Sequence, residues 1–169
     1  MRAKVCVVAA ALAAWAGAAS AQSPQMLAVG MSWVAAQGGS VPSGALPTGF
    51  TPEGFLYSCR GTVENGVHLG KVRPGLEGCL IPLGGNERPV RAYEVLVGQP
   101  QRWMGAQDGQ VPARAVDVGR TRANQPLYVC RGVRGNELVP GKIGAGLRGC
   151  NVGLGGREVT LAIYEVLIQ

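Results

Sequence analysis

Histidine is almost missing from this chain: His68 is the only one in 169 residues. That scarcity removes the usual general base of nucleophilic catalysis and the commonest metal ligand. No Gly-x-Ser-x-Gly elbow, no Gly-x-x-x-x-Gly-Lys-Ser/Thr phosphate loop and no Cys-x-x-Cys pair occurs either. Carboxylates of the kind a glycosidase needs (Glu53, Glu64, Glu77, Glu87, Glu94) fall mostly in turn-like stretches, and no pattern orders them into a pair. Neither catalysis nor a metal or organic cofactor is therefore expected. His68 itself has no counterpart in the later part of the chain, where Val139 takes the matching place. It reads as an exposed strand residue.

Long runs of one charge are absent too. The formal charge is +6, but no five basic residues are contiguous and aromatics make up only 5%. This does not describe a nucleic-acid binder, and the basic residues read as solvated surface. Helix-forming stretches are equally scarce. With 27 Gly and 11 Pro, helices of any length are not expected outside the N-terminal segment. That segment has a positive start (Arg2, Lys4), an apolar run from Val5 to Trp15 and the small-x-small site Ala19-Ser20-Ala21. The run is too short to span a bilayer. It reads as a signal peptide, residues 1–21, for secretion or delivery to a periplasm, with no membrane insertion after cleavage.

Export would remove Cys6 and leave Cys59, Cys79, Cys130 and Cys150, an even number in an oxidising compartment. Four cysteines allow three pairings. The chain's main feature favours one of them: a block of about two dozen residues occurs twice. Leu56-Tyr57-Ser58-Cys59-Arg60-Gly61, then Gly70-Lys71-Val72, then Gly78-Cys79 is matched by Leu127-Tyr128-Val129-Cys130-Arg131-Gly132, Gly141-Lys142-Ile143 and Gly149-Cys150. One bridge per copy, Cys59–Cys79 and Cys130–Cys150, keeps the duplication intact.

The likeness extends well beyond this block. Trp33, Val41-Pro42, Ala45 and Gly49 recur 70 residues later at Trp103, Val111-Pro112, Ala115 and Gly119. One extra residue then shifts the offset to 71 through Tyr93-Glu94-Val95-Leu96 and Tyr164-Glu165-Val166-Leu167. The organisation that follows is a leader at 22–32, a first repeat at 33–97, a linker at 98–102 and a second repeat at 103–169. Leu27, Val29 and Met31 suggest an edge strand in the leader. Strands are expected at Phe55–Gly61, Val67–Val72, Cys79–Leu83 and Arg91–Val97 and at their counterparts. Asn65-Gly66 and Gly135-Asn136 mark hairpin turns. The fold class is all-β, with two units too small to bury their own apolar faces packed about a pseudo-twofold axis.

Strand alternation puts Glu165 on a face with Leu161, Ile163 and Leu167. A structural ion pair, for example with Arg131, or a backbone hydrogen bond would satisfy it there. Packing alone does not explain Lys71 and Lys142. The glycine before each lets another group approach the backbone. Each ammonium can donate to sugar hydroxyls or a carboxylate, or the lysine can guard a strand edge.

The repeated Trp, Val-Pro-x-x-Ala, Gly, Leu-Tyr, Gly-Lys and Tyr-Glu-Val-Leu elements resemble the DM9 repeat over essentially the whole chain after the signal peptide. The resemblance implies an all-β protein of two tandem repeats, and a lectin recognising mannose-type glycans. In that family the lysine of the Gly-Lys element and an aspartate two residues after the Gly49-like glycine hold the sugar. The lysine corresponds to Lys71 and Lys142. The aspartate's places are taken by Thr51 and Thr121, with Glu53 and Asn124 two and three residues further on as the nearest further polar groups. The resemblance thus implies a glycan or polysaccharide as partner, for a monomer or homodimer. The alternative is a non-catalytic structural or protein-interaction module of the cell envelope.

Overall fold

A computed structural model describes residues 26–27, 30–99, 102–144 and 146–169. The signal peptide, Val29 of the leader and part of the linker lie outside the described residues. Among those described there is no helix, and the strands follow one another as two copies of a single plan. The first copy comprises β1 (Met26–Leu27), β2 (Met31–Gln37), β3 (Pro47–Thr51), β4 (Gly54–Val63), β5 (Gly66–Val72), β6 (Cys79–Leu83), β7 (Asn86–Val90) and β8 (Ala92–Gly98). The second comprises β9 (Arg102–Gln107), β10 (Asp117–Arg120), β11 (Pro126–Arg134), β12 (Glu137–Gly144), β13 (Cys150–Leu154), β14 (Arg157–Leu161) and β15 (Ile163–Ile168).

All four strands expected in each copy are present, and the hairpins fall where Asn65-Gly66 and Gly135-Asn136 mark them. Glu64 and Asn65 take the left-handed conformation (φ 50° and 64°) that a tight hairpin requires. The edge strand expected in the leader is shorter: β1 pairs with β2, to which Met31 already belongs. Strands β2, β3 and β7, with their counterparts β9, β10 and β14, were not evident from the sequence. The reason is compositional. Pro47-Thr-Gly-Phe-Thr is short and holds a proline, while Asn86-Glu-Arg-Pro-Val has no apolar alternation. Pairing with neighbours makes these segments strands, not their own pattern.

The two copies are woven together. Phe50 of β3 pairs with Phe55 of β4 and, on its other side, with Leu138 of β12 in the second repeat. Arg120 of β10 pairs with Pro126 of β11 and with Val67 of β5 in the first. Together with the β4–β5 and β11–β12 hairpins this closes a barrel of β4, β3, β12, β11, β10 and β5. The β6–β7 and β13–β14 hairpins meet through Arg157 and Asn86. One core belongs to both repeats: Trp33, Leu69 and Leu96 pack with Val116, Leu127, Val129 and Leu167. Each repeat keeps a second cluster around its own cystine, Cys59 and Cys79 with Ile81 and Val95, and Cys130 and Cys150 with Val152 and Val166.

The disulfides are Cys59–Cys79 and Cys130–Cys150, with Cα atoms 5.9 and 5.8 Å apart, inside the usual range for unforced bridges. Glu165 is ion-paired with Arg131 at 2.7 Å, and Glu94 with Arg60 at the same distance. Each arginine also lies over its repeat's tryptophan, Arg60 on Trp33 and Arg131 on Trp103. The phenols of Tyr93 and Tyr164 donate to Ser40 O and Gln110 O, both at 2.8 Å. The Tyr-Glu pair of each copy is therefore part of the scaffold.

Candidate functional site

The glycine before each repeated lysine is there because a carbonyl crosses its Cα. A Cβ on Gly70 would sit 2.1 Å from Leu80 O, and one on Gly141 2.1 Å from Asn151 O. Lys71 and Lys142 follow, buried between the repeats and only 8% and 2% exposed. Neither points to solvent as the surface reading of a lysine would have it. Lys71 Nζ donates to Gly153 O in the second repeat, and Lys142 Nζ donates to Pro82 O in the first. Gly153 and Pro82 are themselves equivalent positions. Each lysine thus ties its repeat to the same point of the other.

The two nests then part ways. Beside Lys71, Glu87 Oε1 makes an ion pair at 2.9 Å, and Glu87 Oε2 accepts from Gly156 N at 3.1 Å. This carboxylate fits only because residue 153 is glycine, where an added Cβ would stand 2.1 Å from Glu87 Oε1. At the equivalent place the second nest has Pro82 in place of a glycine. Glu158, the counterpart of Glu87, instead accepts from Asn151 Nδ2 and Gly85 N, both at 2.8 Å.

Lys142 has His68 as its neighbour, with Nζ 3.4 Å from Nδ1. Burial holds the Lys142 ammonium down at about 8 against an ordinary 10.5, opposed by the Glu158 charge. Burial, then the Lys142 charge, lowers His68 to about 4. His68 is 5% exposed, which corrects its reading as a surface strand residue. The strand position is right, but the lysine that covers it comes from the other repeat, 74 residues away.

The polar residues singled out upstream lie at the rim, in the turns that follow β3 and β10. Thr51 Oγ1 accepts from Glu53 N at 3.3 Å. The Thr51 hydroxyl also helps hold the Glu53 carboxyl below its usual range. Thr121 Oγ1 accepts from Gln125 N at 3.1 Å, and Asn124 N donates to Thr121 O at 2.9 Å. Asn124 takes a left-handed φ of 60° in the loop lengthened by the extra residue. The structure therefore brings Thr51 to Glu53 and Thr121 to Asn124. Among the described residues no hydrogen bond or ion pair links either threonine to a lysine.

Two residues beside Thr51 were overlooked in the sequence. Phe50 and Phe55 are directly opposed across β3 and β4 and are 46% and 61% exposed. Their row continues through Leu138 to Val133, which is also exposed. The available signal was two phenylalanines, the only two in the chain, flanking a Thr-Pro-Glu-Gly turn. In the second repeat the same positions hold Arg120 and Pro126.

The described residues form a closed, duplicated β-structure with exposed turns. The chain belongs to the DM9 repeat family: the DM9 repeat model matches twice, over residues 2–90 and 55–161. This family is a lectin-like, binding-domain type. Comparison with curated proteins found no match.

Proposed function

We propose that this is an exported carbohydrate-binding protein whose primary sugar contact is the β3–β4 turn of the first repeat. The observation that carries the reading is the exposed Phe50–Phe55 pair beside Thr51 and Glu53. An aromatic face packs against the C–H face of a sugar ring, while a carboxylate and a hydroxyl accept and donate to its hydroxyls. The Thr121 to Asn124 turn is the weaker, purely polar counterpart. Lys71 and Lys142 set the geometry from within: each has three donors, and the contacts described occupy two. Two disulfides fit an oxidising compartment and support the export reading.

Mannose-type glycans, to which the family resemblance points, are the first ligands to test. A glycan array followed by calorimetry on the Phe50→Ala/Phe55→Ala double variant checks the assignment. Loss of two stacking contacts is expected to weaken binding at least about tenfold. Undiminished binding by the folded variant would refute the site. Recovery of a single protein partner, with no glycan bound by the parent, would favour the envelope interaction module instead.

A further inference from the structure

The two repeats cross-pair in the same way, yet the surfaces at the two crossings differ. Where β10 meets β5, the strands share a single partner pair, Arg120 and Val67, and then diverge. The gap they leave is a pocket of about 310 Å³ lined by Arg60, Val67, Glu94, Asp117, Gly119 and Arg120, among others. Arg60 forms its floor, bound through Nε to Glu94 and through Nη1 to Val118 O at 3.0 Å. The mouth is formed by Asp117 and Arg120, ion-paired at 2.8 Å and both exposed. At the other crossing Pro47 stands for Asp117, Phe50 for Arg120 and Leu138 for Val67. One crossing is thus charged and recessed, and the other aromatic and exposed.

We propose that the β5–β10 pocket is a second binding site, chemically unlike the first, for one neutral pyranose ring. Its volume lies at the small end of ligand pockets, enough for one ring and not for a chain. Its four charges are matched as two ion pairs, so the pocket carries no net charge for an ionic ligand to neutralise. A carboxylate has two oxygens and about four lone-pair sites, so the Asp117 and Glu94 carboxylates, each paired through one oxygen, retain acceptor capacity for ligand hydroxyls. Arg120 donates from the same rim. Vicinal hydroxyls both donate and accept, and so fit between such groups without breaking either pair. Val67 and Gly119 offer an apolar wall for a ring face.

This inference rests on the carbohydrate-binding reading, and titration of the ¹⁵N-labelled protein separates the two. The probes are methyl α-mannoside, methyl β-galactoside, N-acetylglucosamine and glucuronate. At least one neutral sugar is expected to shift the amides of Val67, Val118, Gly119 and Arg120. The Asp117→Ala/Arg120→Ala variant, which alters exposed side chains, is expected to weaken that response at least tenfold while shifts around Phe50 to Phe55 persist. Shifts confined to Phe50 to Phe55 in the parent would overturn the second site and leave the proposed function standing. A pocket that responds to glucuronate alone would overturn the neutral-ligand assignment. No response anywhere would overturn both.

Discussion

Replacing His68 with valine should make the protein markedly more resistant to acid. In the folded state burial and the Lys142 ammonium keep the imidazole from protonating until about pH 4, against 6.5 for an unconstrained histidine. Between those values the unfolded chain binds a proton that the folded chain refuses, so stability falls as pH drops through that window. The drop from 6.5 to about 4 corresponds to a loss of about 3 kcal/mol of stability, nil above pH 6.5 and complete by pH 4. Valine is the natural replacement, because Val139 already occupies the equivalent place in the other repeat without exposure. Urea unfolding of parent and His68→Val at half-unit steps from pH 4 to 7 is the assay. Carboxylate protonation affects both proteins alike, so the difference between the curves isolates His68. With an m-value of about 2 kcal/mol/M, the difference in midpoint should grow by about 1.5 M from pH 7 to pH 4. Parallel curves would show that His68 is protonated in the folded protein at no cost, and the buried His68–Lys142 arrangement would be wrong.

Three further outcomes follow from the same framework. Lys71→Met leaves the nearly inaccessible Glu87 carboxylate without its ion-pair partner and should cost about 3–5 kcal/mol, with Glu87→Gln in the same chain restoring part of it; thermal unfolding of the single and double variants measures this. Cys130→Ala/Cys150→Ala opens a cystine whose partners are 20 residues apart and should lower stability by about 3 kcal/mol in urea. In the folded parent both cystines are fully buried and should resist dithiothreitol until denaturant is added.

What could be read in the chain was whatever the duplication repeats within one copy. The Cys59–Cys79 and Cys130–Cys150 pairing, the Asn65-Gly66 hairpin and the Arg131–Glu165 pair all join residues of the same repeat. The close approach at Gly70 and Gly141 was legible for the same reason, since a backbone crossing needs only local sequence to be announced. Contacts between repeats left no such mark. Nothing near His68 signals a lysine 74 residues away, and nothing near Lys71 signals that its ammonium ends on Gly153 O. Strands β3 and β10 are short, with a proline in β3 and no apolar alternation in β10, so pairing with β4 and β11 and not their own pattern makes them strands. The exposed Phe50–Phe55 pair escaped notice because apolar residues in a strand are ordinarily taken as core.

The edge pairing of β3 with β12 and of β10 with β5 has a consequence for a single repeat. A single repeat, cut free, would present the outer edges of β3 and β5 unpaired and leave half of the shared core uncovered. A second identical chain is the natural cover for those edges, so one repeat of this architecture on its own would be expected to form a homodimer joined edge to edge. Joining two repeats in one chain makes a concentration-dependent encounter a tethered one. It also frees the two copies from identity. In a homodimer, His68 would face Lys142's twin on both sides, and every phenylalanine or aspartate at the crossings would appear twice. Only a fused chain can keep histidine in one nest and valine in the other, or an aromatic crossing opposite a charged one.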